Sequence, residues 1–146
     1  VEFFNMVKDH LTENGVMVVN MNMRGSGEGN INQYLADTIA SVFGTVYTAD
    51  VKGSTNRELF ASNQEDMLDT LKNNAGNLAN ADLQNMMIAV ADTSTQYDGG
   101  DYIMTDDKAP VELLGMQVID QVIKEEVAYY KGIYEEQGLD GLLQSL

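Results

Sequence analysis

The chain has 146 residues, and its 8 Lys and Arg stand against 23 Asp and Glu, a formal charge of −15 at neutral pH. That length suits one core, the 44% apolar content excludes a disordered chain, and the acidity excludes nucleic-acid binding, which needs clustered Lys and Arg. With no Cys and a single His10, disulfides, thiolate chemistry and a multi-histidine metal site are excluded too.

The chain opens on Val1 rather than Met and runs straight into helical spacing, Phe3, Phe4, Val7 and Leu11, which suggests a piece of something longer. Asn14-Gly15 reads as the stop. The unbroken apolar run Val16 to Val19 then predicts a strand covered on both faces in a parallel sheet. A polar, glycine-rich loop follows from Asn22 to Asn30, and Ile31, Leu35, Ile39 and Val42 mark the next helix. Val46 to Ala49 and Glu58 to Ala61 read as two strands joined by the turn Lys52 to Asn56, an antiparallel pair at a sheet edge. Gln64 to Ala91 is helical, Asp92 to Asp101 reads as a surface loop, and a long helix runs from about Pro110 to Gln137 with Gly138 as its stop. The expected organisation is one unit, with a sheet-and-helix part over 1–62 and a mainly helical part over 63–146. No run is apolar enough to span a membrane, and no signal segment opens the chain.

Three segments invite a chemical reading. Arg24-Gly25-Ser26-Gly27-Glu28-Gly29-Asn30 sits where a dinucleotide fingerprint would, after a strand and before a helix. Asn30 replaces the third glycine, and Glu28 puts a carboxylate where a pyrophosphate would rest, so a plain strand-to-helix connection is expected. Asp92, Asp98 and Asp101 around Gly99-Gly100 lack the alternation and closing Glu of a calcium loop. Thr105-Asp106-Asp107-Lys108-Ala109-Pro110-Val111-Glu112 is the most distinctive stretch. Two readings stay open for it: Asp106 or Asp107 capping a helix that Pro110 begins, or Asp106, Asp107 and Glu112 facing a cation. The nine Met residues read as core filler, and His10 as a surface residue near a helix end.

Two passages together resemble a family. Glu2-Phe3-Phe4 to Leu11 with Gly15 to Asn20 is similar to the helix and fifth strand of the S-adenosylmethionine-dependent methyltransferase fold. Thr38 to Phe43, Val46-Tyr47 and Asn56 to Ala61 resemble the end of the spermidine synthase-like branch of that fold, and residues 105–112 resemble a signature near the C-terminus of such proteins. The resemblance implies the C-terminal half of a Rossmann-like sheet, one parallel strand plus an antiparallel edge pair, followed by helices. It implies S-adenosylmethionine or its decarboxylated form as cofactor of the parent protein, with none bound by the fragment alone. The catalytic residues and the cofactor glycine loop would precede this chain, so no catalytic residue is assigned. The implied substrate is an amine facing Asp106, Asp107 and Glu112, with Asn20 and Asn22 beside the cofactor and no metal. Implied partners are the missing N-terminal half and further copies in a homo-oligomer, in the cytoplasm or on the cytoplasmic part of a membrane-fused protein. Two other readings are a non-catalytic assembly domain that keeps the fold and an acidic calcium-binding module.

Overall fold

A computed structural model describes residues 1–22 and 27–145. Its elements in chain order are α1 (Glu2–His10), β1 (Met17–Asn22), α2 (Ile31–Ala40), β2 (Thr45–Asp50), β3 (Asn56–Ser62), α3 (Met67–Gly76), α4 (Ala81–Thr93), β4 (Thr95–Gln96) and α5 (Val111–Ser145). The strands form one sheet in the order β1-β3-β2-β4, with every neighbouring pair antiparallel.

Strand alternation sorts the side chains into two faces. Met17, Val19 and Met21 of β1 share a face with Leu59 and Ala61 of β3 and Val46 of β2. Phe4 of α1 and Ala36 and Ile39 of α2 close over that face, which makes it the main core. Val18 and Phe60 point the other way, toward Met67, Leu68 and Leu71 of α3. Helices therefore flank the sheet on both sides.

Among the described residues the register gives β1 no parallel neighbour. β1 pairs antiparallel with β3, Met17 opposite Ala61 and Asn22 opposite Asn56. It is an edge strand, and Val18 is 55% exposed. A continuous apolar run was the cue, but only alternate members of it reach the core. The pairing of β2 with β3 is antiparallel as expected. That pair is not at an edge, however: β3 lies inside the sheet, and β4 adds itself outside β2. Because β1 and β2 both oppose β3, they run in the same direction.

α2 begins at a well-formed cap. Asn30 accepts hydrogen bonds from the amides of Asn32 and Gln33 at 2.9 and 3.0 Å, and Gln33 reaches back to the Gly29 amide at 2.8 Å. Within the glycine-rich stretch, Arg24, Gly25 and Ser26 lie outside the described residues. Gly138 interrupts α5 with φ 67 and ψ −162, where the sequence reading put a stop, and helix resumes after it. Among the described residues no helix is long and apolar enough to cross a membrane.

Candidate functional site

With β1 and β2 running the same way, their carboxyl ends, Asn22 and Asp50, share one edge of the sheet, and α2 starts at that edge. Open α/β sheets hold ligands at such ends. A cleft of about 240 Å³ lies here, bounded by Asn30, Asn32, Gln33, Thr48, Arg57 and Tyr97. A second cleft of about 620 Å³ shares Thr48, Arg57 and Tyr97 and extends past Lys52 and Gln96.

Charge in this cleft is largely self-neutralised. The Arg57 guanidinium grips Asp50 with two N–H bonds of 2.5 and 3.1 Å, a bidentate pair. That bond holds the Asp50 carboxyl below its ordinary range and raises Arg57 further. The amino end of α2 is no anion site either, since Asn30 already takes the amides of Asn32 and Gln33.

Behind the cleft is the feature the sequence did not disclose. Asp37 of α2 is 1% exposed. Its carboxylate accepts a hydrogen bond from the Tyr97 hydroxyl and another, 3.0 Å long, from the Tyr102 amide. Burial, reinforced by that carboxylate, pushes the Tyr97 phenol up to about 12. The neighbouring Thr38 hydroxyl accepts from the Met104 amide at 2.9 Å. One turn of α2 thus holds the whole stretch from Tyr97 to Met104. Its only sequence signal was a carboxylate beside the apolar stripe of a helix, which needs a buried donor to be tolerated.

That stretch delivers the distinctive motif. Thr105 and Lys108 exchange backbone hydrogen bonds of 3.2 and 2.9 Å, so Asp106 and Asp107 form the tip of a tight turn. Both side chains are exposed, as is Glu112 in the first turn of α5. The Asp106 amide donates to Glu2 at 3.0 Å, which ties the turn to α1; Glu2's own backbone amide and then that of Asp106 hold the Glu2 carboxyl below its ordinary value. The two aspartates belong to this turn rather than to the start of α5, where Pro110 immediately precedes the helix. Asn20 and Asn22 are placed elsewhere. Asn20 donates to Glu58 across the strands at 2.8 Å, and Asn22 accepts from Thr55 at 3.2 Å and, through its carbonyl, from Asn32 at 2.6 Å. No hydrogen bond among the described residues joins these asparagines to the turn. Nor do three acidic or histidine side chains converge closely enough among them to hold a metal ion.

Comparison with known proteins supplies the kinship. Over 162 aligned positions covering 99% of its length, the chain is 46% identical to the "Probable polyamine aminopropyl transferase" of Bifidobacterium longum (strain NCC 2705). This identifies a relative of a transferase. The family is that of the polyamine aminopropyl transferases, the spermidine synthase-like proteins that residues 105–112 resemble. The chain spans about a third of that relative, 36% of its length. No family model matches the chain, and no solved structure does.

Proposed function

We propose that the chain is the substrate-side part of a polyamine aminopropyl transferase, and the observation that carries this is the 46% identity over 99% of the chain. In the reaction, an amine lone pair attacks the aminopropyl carbon bonded to the sulfonium of a decarboxylated S-adenosylmethionine. The C–S electron pair leaves with sulfur as a neutral thioether, and the new ammonium sheds one proton. The protein's part is positioning and proton removal.

For this chain the reading assigns the exposed carboxylates of Asp106, Asp107 and Glu112 to the cationic amine. Asn20 and Asn22, at the carboxyl end of β1, would face the nucleoside, because side-chain amides offer both donors and acceptors to hydroxyls and ring nitrogens. The catalytic base and the donor's main cradle would be supplied by the rest of the protein. The free side of β1 and the exposed Val16 and Val18 support a Rossmann-like reading in which further sheet continues there. A cytoplasmic setting and a homo-oligomer complete the proposal.

The test is an assay of the full-length protein with decarboxylated S-adenosylmethionine and putrescine. Losing one carboxylate contact to a cation should raise KM for the amine roughly tenfold or more, with a smaller effect on kcat. Asp106→Asn and Glu112→Gln both leaving kcat and KM unchanged removes the site assignment. Absence of any aminopropyl transfer and of donor binding by the intact protein favours the assembly-domain reading instead.

A further inference from the structure

The connection between β4 and α5, residues 97–110, runs for fourteen residues without a helix or strand. A connection of that length in a small fold is ordinarily either free to wander or held for a purpose. This one is held along its length. The Tyr97 amide donates to the Val46 carbonyl at 2.9 Å, and the Tyr97 hydroxyl donates to one oxygen of Asp37. The Tyr102 amide reaches the other Asp37 oxygen, the Met104 amide reaches Thr38, and the Asp106 amide reaches Glu2. Gly99 and Gly100 let the backbone lie flush on α2. Gly99 has φ 81, and a Cβ there would stand 3.0 Å from the Ala40 Cβ, while one at Gly100 would press into Asp37.

Stability alone does not call for this arrangement. A carboxylate that is 1% exposed has lost its hydration, and packed apolar side chains in its place often stabilise as well or better. What the carboxylate adds is direction. Its two oxygens take donors five residues apart in the chain, so it fixes a length of backbone rather than a point. Thr38 is likewise 1% exposed. Its hydroxyl donates to the Tyr34 carbonyl at 2.6 Å, which leaves a lone pair to accept from Met104. Asp106 lies two residues further on.

Given the assignment of Asp106, Asp107 and Glu112 to the cationic amine, on which this rests, we propose that Asp37 and Thr38 are positioning residues for those carboxylates. Both act through the backbone of residues 102–106 and touch no substrate. The three carboxylates are exposed. An exposed carboxylate on a free loop is a weak ligand for a cation, because binding must first order the loop. On a strap pinned at Tyr102, Met104 and Asp106 the turn is already placed, and the amine meets an array that needs little further ordering.

The test uses the full-length protein and reads amine affinity in two ways, as KM for putrescine in the transfer assay and as Kd for putrescine by titration calorimetry. Thr38→Val nearly keeps the side chain's shape and deletes both hydroxyl bonds, whereas Thr38→Ser keeps the bonds. Thr38→Val should raise putrescine KM and Kd roughly three- to tenfold, with kcat and the KM for the donor within about twofold. Thr38→Ser should restore the parent values. Asp37→Asn, which offers one acceptor oxygen where two are used, should act in the same direction. In a background of Asp106→Asn, Asp107→Asn and Glu112→Gln, Thr38→Val should add nothing, because no charge is left to place. An undiminished effect in that background, or an equal fold-change in kcat and in donor KM, makes the role one of folding in general and overturns the proposal. If the triple substitution raises putrescine KM while Thr38→Val does not, the positioning role is overturned and the carboxylate site stands. If the triple substitution leaves putrescine KM and Kd at the parent values, the carboxylate site and the positioning role fall together.

Discussion

Removing a single hydroxyl tests how the candidate site is held. Asp37 is 1% exposed and has two protein donors, the Tyr97 hydroxyl and the Tyr102 amide. Tyr97→Phe keeps the ring in place against the core and deletes one donor to a buried carboxylate. A hydrogen bond to a charged group is worth about 1.5–3 kcal/mol. For a chain of this length that corresponds to a fall in Tm of roughly 4–10 °C. Urea unfolding and thermal melts measure it, with Asp37→Asn and the double variant completing a cycle. The pair also makes a pH statement. The folded phenol titrates near 12 against an ordinary value of 10.0, so the folded state holds its proton more tightly. Its contribution is full below pH 10 and is lost as pH rises toward 12. The Phe variant should lack that share of the alkaline decline. A loss below about 0.5 kcal/mol, together with an unchanged alkaline slope, refutes the reasoning.

Gly100 offers a steric version of the same test: a Cβ there would sit 2.7 Å from an Asp37 carboxylate oxygen. Gly100→Ala should cost about 1–3 kcal/mol in a urea melt, and much less so after Asp37→Ala has cleared the space. Asn30→Ala removes the α2 cap and should cost about 1 kcal/mol, whereas Asn30→Asp should largely retain it. Asp50→Asn tests the cleft ion pair. Arg57 holds the carboxyl below its ordinary 3.8, so the pair's contribution is present above that pH and is lost on acidification through the depressed value. The variant's urea midpoint should be slightly lower at neutral pH and should match the parent's once the pH has fallen through the depressed value.

Much of the local structure was legible because it depends on periodicity. α1 and α2 announce themselves by apolar spacing, and the β2–β3 hairpin by its turn between Lys52 and Asn56. Strand order was not legible. Val16 to Val19 looks the same whether its neighbours are parallel or not, and only pairing shows that Val18 lies on the α3 face, away from the main core. β4 carries no pattern, being two exposed residues fixed by the edge of β2. The motif at residues 105–112 was visible, but its geometry was not: a two-residue turn and a helix cap use the same residue types. The Asp37 anchor was hidden because its partner Tyr97 is 60 residues away. Local spacing carries no record of such a contact.

The anchors on α2 also bear on how the molecule assembles. The bonds from Tyr97, Tyr102 and Met104 to Asp37 and Thr38 close loops of 60 to 66 residues, and that from Asp106 to Glu2 closes one of 104. Loops of that length are entropically slow to close, whereas the β2–β3 hairpin and each helix form from near neighbours. The strap from Tyr97 to Asp106 should therefore dock late in folding and be the first part to peel away. Beyond α5's own packing on α2, it is the strap that tethers the long helix to the sheet. Transient release of the strap would free the Asp106 turn and α5 together as one cooperative unit. In native-state hydrogen exchange the Tyr102 and Met104 amides should then share a single opening free energy, below that of the central strand β3.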